Sequence, residues 1–326
     1  MKKTDLGQFN TKRDVWLKPQ VAEFIKSSIN TKGLDPFAGG GDLVKAMFDL
    51  GMNKVRGLDV DPSLNWQVND SLVDIPYFGD TIVITNPPYY ARVSASRKKS
   101  SCLKYFKNNN FADLYQIAIA RVLEKYDDAV FIIPETYFLT EDVFFKDNLL
   151  ILTVLEDNPF YDTDCPVCVA CFSKSDMFEY KEYDIYKNDE LLFNNNELDA
   201  ILRRYTPNTE LLNITFNDPK GNIGLRGIDG TKADEKIKFC LPEDLNYDIK
   251  KIKVSSRAIT ILNVEGDFDR NELIEQANFY LNRFREETSD VILAPFKGNN
   301  KEGKRRRRLD FAWARKLLNR ALTNSN

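Results

Sequence analysis

Apolar residues recur along this chain with two periods. Residues 18–29 carry Pro19, Val21, Ala22, Phe24 and Ile25 at helical spacing, and residues 42–50 carry Leu43, Ala46, Met47 and Leu50 on one face. Short apolar runs at 33–35, at 53–59 (Val55, Leu58), around Val68 and at 81–85 predict four strands. A further amphipathic helix is predicted over 111–126, on Leu114, Ile117, Ala118, Val122 and Tyr126. Strands follow at 129–133, 149–155 and 167–173, the last two as a pair. Strand–helix alternation of this kind predicts an α/β fold with a mainly parallel, doubly wound sheet.

The pattern changes after about residue 175. Residues 176–250 are rich in Asn, Asp, Tyr and Lys with weak periodicity, and 251–264 is strand-like. A helix is predicted over 269–288, with Leu273, Ala277, Tyr280, Leu281 and Phe284 on one stripe, and a last one over 309–322. Two domains are therefore expected, 1–175 and a smaller α+β one at 176–326. The basic residues Arg315, Lys316 and Arg320 fall near the C-terminal half of the last helix.

Composition narrows the chemistry. The 326 residues include no histidine, which excludes Ser-His triads, histidine bases and histidine-ligated metals together. Three of the five cysteines, Cys165, Cys168 and Cys171, have a spacing that invites a metal reading. They lie in or beside a predicted strand, where side chains at i, i+3 and i+6 alternate faces and do not converge on one ion. No metal is expected. The first residues lead into a polar segment, and no apolar run approaches the roughly 20 residues of a membrane helix, so the expectation is a cytoplasmic protein with no membrane partner.

The net charge of −3 argues against nucleic acid, but its distribution argues the other way. Residues 81–112 carry Arg92, Arg97, Lys98, Lys99, Lys104 and Lys107 and no acid. Residues 296–326 carry ten bases, among them Lys304, Arg305, Arg306, Arg307 and Arg308, against Glu302 and Asp310. The remainder of the chain therefore holds −17. Two basic stretches in an acidic body predict a phosphate footprint; a solvated loop and tail are the alternative.

Polar and glycine residues cluster where strands end. In an open α/β sheet ligands lie beyond the carboxyl ends of the strands. The glycine-rich turn Asp35-Pro36-Phe37-Ala38-Gly39-Gly40-Gly41 follows the first strand, and Asp59 and Asp70 close the next two. Glycine allows the backbone to approach a ligand closely. Asp59 is placed to accept from ribose hydroxyls and Asp70 from an adenine amino group. A dinucleotide site is disfavoured because the turn lacks the G-x-G-x-x-G pattern. The fourth strand runs into Asn86-Pro87-Pro88-Tyr89, a rigid amide suited to a planar amine.

Together with Gly7-Gln8-Phe9-Asn10-Thr11, Asp113-Leu114-Tyr115, Phe131-Ile132-Ile133-Pro134 and Asn158-Pro159-Phe160, these motifs resemble the amino-group DNA methyltransferases that use S-adenosylmethionine. The resemblance covers about residues 7–173. Only 44 residues separate Gly41 from Asn86, too few for a recognition domain between them, so the gamma order of motifs fits. It implies a mixed seven-stranded class I methyltransferase sheet followed by a target-recognition domain. The implied activity is N6-adenine methylation of duplex DNA by base flipping, of restriction-modification, orphan or phage type, with S-adenosylhomocysteine as product.

The resemblance implies cofactor contacts at Gln8, Phe9, Thr11, Asp35, Pro36, Phe37, Ala38, Gly39, Gly41, Asp59, Val60, Asp70, Ser71 and Asn86. It implies catalysis at Asn86, Pro87, Pro88 and Tyr89, with Tyr89 stacked on the base and Phe160 as a second wall, Tyr161 being the alternative. DNA contacts are expected at Arg92, Arg97, Lys98 and Lys99, in a loop that is mobile without DNA, and at 304–308. Double-stranded DNA is the expected partner, a cognate restriction endonuclease is allowed, and the oligomeric state is open. RNA and protein-glutamine methyltransferases share the Asn-Pro-Pro-Tyr chemistry and remain rivals, as does a silent nucleic-acid-binding subunit.

Overall fold

The computed structural model describes residues 11–28, 31–139, 146–161, 163–174, 182–232, 234–248, 251–253 and 256–322. The chain divides into two compact units, Met1–Asn194 and Asn195–Asn326.

In the first unit the elements run α1 (Arg13–Trp16), α2 (Pro19–Ser27), β1 (Lys32–Asp35), α3 (Asp42–Asp49), β2 (Lys54–Asp59), β3 (Gln67–Val68) and β4 (Ile82–Thr85). They continue with α4 (Arg92–Arg97), α5 (Leu114–Lys125), β5 (Ala129–Pro134), β6 (Leu149–Val154), β7 (Val167–Phe172), β8 (Asp184–Lys187) and β9 (Glu190–Asn194). One sheet holds all nine strands in the order β3-β2-β1-β4-β5-β7-β6-β8-β9. β3, β2, β1, β4 and β5 pair in parallel, and β7 runs antiparallel between β5 and β6. The first seven strands therefore have the class I methyltransferase order.

The expected seven strands are joined by two more. β8 pairs in parallel with β6 and β9 closes the edge antiparallel to β8, so the sheet extends past residue 175 to residue 194. The polar composition after 175 hides this because both strands are short and half-exposed. At the centre, β5 and β7 are buried throughout and read as continuous apolar runs, as strands covered on both faces do. Gly33 lets α3 lie on the sheet, since a Cβ there would stand 2.4 Å from the Met47 sulfur.

The second unit holds α6 (Asn195–Tyr205), β10 (Asn213–Phe216), β11 (Ile223–Arg226), β12 (Lys238–Cys240), β13 (Ile259–Glu265), α7 (Arg270–Glu287), β14 (Ala294–Asn299), β15 (Arg305–Arg308) and α8 (Phe311–Leu322). The sheet order is β10-β13-β11-β12, all antiparallel, and β14 and β15 form a hairpin. The α+β expectation for this part of the chain is met, with three strands in a region of weak periodicity.

Candidate functional site

The carboxyl ends of β1, β2 and β4 converge on one cleft. β1 ends at Asp35, whose carboxylate accepts from the Thr85 hydroxyl (2.6 Å) at the end of β4 and from the Phe37 amide (3.1 Å). Asp35 is 1% exposed, and burial pushes its carboxyl up to about 7. It fixes the glycine turn from beneath, and Thr85 is a site residue that the sequence reading passed over.

The turn itself depends on glycine geometry. Gly39 and Gly41 have φ of 49° and 86°, in the left-handed region, and Gly41 caps α3. A Cβ on Gly41 would stand 2.8 Å from the Trp66 ring, whose indole N–H donates to the Gly39 carbonyl (2.9 Å). Trp66 was also missed; it is the one aromatic between β2 and β3. Asp59, at the end of β2, accepts from the Gly39 amide and the Asp61 amide, both at 2.9 Å. Thr11 bridges Phe160 and donates its amide to Asp42 (3.0 Å), which ties Thr11 to α3. Gln8 and Phe9 lie outside the described residues.

Phe37, Asp59, Val60, Asp70, Ser71, Asn86 and Pro88 all line this cleft, together with Asn69, Leu72 and Tyr105. Asp70 accepts from the Tyr105 hydroxyl (2.8 Å) and pairs with Lys104 (3.4 Å). One wall is thus acidic and polar, and the other presents the Asn86 amide on a proline-stiffened turn.

Tyr89 faces inward. Its hydroxyl lies between the Asn86 side-chain oxygen and the Ile132 carbonyl of β5 (2.6 Å to the latter). Its ring stands between Phe160 and Tyr115, with centroids 6.4 Å away in each case, and burial holds its hydroxyl well above the usual tyrosine range. Phe160 is a core residue at 1% exposure, whereas Tyr161 is 73% exposed with the Lys12 ammonium 5.0 Å from its ring centre.

The basic segment after Tyr90 is not a loop. It forms α4 and a 3₁₀ turn, Ser101–Phe106, because Ala95, Cys102 and Phe106 bury against Leu114 and Ala118 of α5. Asp113, in the capping box of α5, accepts from the Tyr90 amide (2.8 Å), and Ala91 bridges Asp113. Burial lifts the Asp113 carboxyl to about 6. Arg97, Lys98 and Lys99 are exposed, while Arg92 donates to the Asn109 carbonyl (3.2 Å).

In the second unit, residues 305–308 form β15 and alternate inward and outward. Arg305 and Arg307 are buried; Arg306 donates to the Asp229 carbonyl (2.7 Å) and lies over the Phe296 ring. Arg315 and Arg320 of α8 donate to the carbonyls of Ile214 and Arg204. Much of the positive charge near the end of the chain is thus spent inside its own unit. Among the described residues no group of metal-binding side chains converges, and no helix is long and apolar enough to cross a membrane.

No protein-family model and no curated protein matches the chain. Among solved structures it is similar to the type I restriction-modification methyltransferase subunit of Streptococcus thermophilus, at 15% identity and a TM-score of 0.42 over 61% of this chain and 53% of that one. The chain thus spans about half the length of that subunit. It is also similar to the M protein of the type I restriction enzyme EcoKI, at 14% identity and a TM-score of 0.39 over 90% and 73% of the two chains. A Pyrococcus horikoshii protein described as a candidate RNA methyltransferase gives 17% identity and a TM-score of 0.36 over 53% and 91%.

Proposed function

We propose that the chain is an S-adenosylmethionine-dependent methyltransferase that modifies the exocyclic N6 amino group of adenine in duplex DNA. The observation that carries this reading is the shared cleft: Asp59, Asp70 and Ser71 line it together with Asn86 and Pro88. A nucleoside-binding wall and an amine-binding turn therefore open onto the same space. The residues fit the cofactor, since a left-handed glycine turn, two carboxylates and the Phe37 ring suit a nucleoside, and its role is to supply an electrophilic methyl group on a sulfonium.

The rest is done by the chain. An aromatic amine is a poor nucleophile because its lone pair is delocalised into the ring. The Asn86 side-chain oxygen and the Pro87 carbonyl accept its two N–H bonds, which favours a tetrahedral nitrogen with a localised lone pair. The Tyr89 hydroxyl, bonded to Asn86, holds that amide in one orientation. The exposed Tyr161 serves better than Phe160 as a wall for an extruded base, because Phe160 has no face to offer. Duplex DNA is favoured over RNA or a protein amide by the exposed bases Arg97, Lys98 and Lys99 a few residues beyond Tyr89, in a stretch without acids. Residues 195–326 are assigned to target recognition.

The test is methylome sequencing of DNA from cells expressing the chain, with Asn86→Ala as control. Methylated adenines at one sequence motif are expected, falling on the order of 100-fold or more in the control. A genome without added methylation would transfer the reading to RNA or protein amides.

A further inference from the structure

At the opposite ends of the same strands a second cleft opens. Lys32 begins β1, Lys54 begins β2, and Thr81 precedes β4; with Arg56, Phe48 and Phe78 they line a cavity of about 440 Å³ that has no carboxylate in its lining. The pairing register sets Lys32 directly against Lys54, and Arg56 follows two residues later on the Lys54 side of the sheet. Like charges opposite one another on neighbouring strands destabilise the pairing. Among the described residues none of the three cations makes an ion pair. Arg56 lies over the Phe78 ring at 4.7 Å, and the Lys32 ammonium stands 3.8 Å from where a Cβ on Gly79 would be. Lys32 is half-buried and Lys54 and Arg56 are exposed, so three cations without an ion pair face one cleft whose lining holds no carboxylate.

We propose that this cleft binds a polyphosphate group, the chemistry that nucleoside triphosphates and inorganic polyphosphate share. Neighbouring strands are about 4.8 Å apart, so the cations concentrate on one compact polyanion, whereas an extended nucleic-acid backbone spreads its charge along a groove. Phe48, 51% exposed at the rim, offers a ring to a base and separates the two sources. The inference is independent of the proposed methyl transfer, because none of its residues lines the first cleft.

Isothermal titration of the full chain with ATP and with inorganic triphosphate tests it. Saturable binding of at least one is expected, weakened about tenfold by Lys54→Gln and by Arg56→Gln, since a charge-assisted contact is lost in each. Excess S-adenosylhomocysteine should leave the binding unchanged, and Lys54→Gln should melt no lower than the parent because it removes a like-charge contact. Loss of ATP affinity alone in Phe48→Ala identifies a nucleotide; equal affinity for both probes, unaffected by that variant, identifies inorganic polyphosphate. Absence of saturable binding, displacement by S-adenosylhomocysteine, or binding indifferent to both charge variants overturns the proposal.

Discussion

Asp35 is held where a carboxylate is costly. It is buried at the end of β1 with two donors, the Thr85 hydroxyl and the Phe37 amide, and burial outweighs both to set its carboxyl at about 7. The folded value lies above the ordinary 3.8, so the native state binds the extra proton between those limits. The associated stability is therefore complete below about pH 4 and is lost as pH rises to about 7, an effect on the order of 4 kcal/mol at most. Asp113, lifted to about 6, adds a slope of the same sign over a narrower window. Asparagine offers the same acceptor oxygen without the charge. Asp35→Asn is expected to raise Tm at about pH 8 and to lose that advantage by about pH 5, which melting curves across the range would show. A difference in Tm that does not change with pH would contradict the assignment.

At the scale of elements, the DNA reading makes α4 and the turn that follows it the link between the Asn86 turn and a phosphate backbone. Buried Ala95, Cys102 and Phe106 fix the segment, and the Asp113 bond to the Tyr90 amide fixes its start, so Arg97, Lys98 and Lys99 stand on a rigid base. On the DNA reading, replacing all three by Gln should weaken binding and flatten the slope of log affinity against log salt by up to about 3, with Tm nearly unchanged. An unaltered slope would remove these residues from the interface. This helix was not legible in the sequence, because its one buried residue is Ala95, a small side chain among Ser, Arg and Lys. β15 was hidden for the same kind of reason: four consecutive arginines have no apolar alternation, yet Arg307 is 2% exposed and its amide is held by Asp229. By contrast α2, α3, α5, β4, β5 and β7 were readable, since each buries a face or a run of large apolar residues. At the site, Asp59, Asp70 and the Asn86 turn were marked by strand ends. Thr85 and Trp66 were not, because what they do depends on contacts 50 and 27 residues away.

For the whole molecule, the decisive boundary is the one at residue 194, and it follows from sheet edges more than from composition. β8 covers the open side of β6 through Ile151, Leu152, Thr153 and Val154, and buries Ile185, while Phe193 of β9 packs behind it. Gln20 of α2 donates to the Thr153 hydroxyl (3.0 Å) and to the Asn188 carbonyl (2.7 Å), and Lys18 pairs with Asp189 (3.4 Å), so the β8–β9 hairpin also secures the helix that leads into β1. A chain ending at residue 175 loses all of these contacts except the Gln20–Thr153 bond at once. It leaves β6 as a bare apolar edge, which is a template for pairing with another copy, and it leaves the Gln20 amide without its carbonyl partner. A chain ending at residue 194 keeps the closed edge and every residue lining the first cleft. Fragment 1–194 is therefore expected to be monomeric by light scattering, to melt cooperatively and to bind S-adenosylmethionine within a few-fold of the full chain, whereas fragment 1–175 aggregates. Equal behaviour of the two would mean that β8 and β9 are appended to a sheet already complete at seven strands. A soluble 1–194 fragment without cofactor affinity would instead direct doubt at the reading of the first cleft.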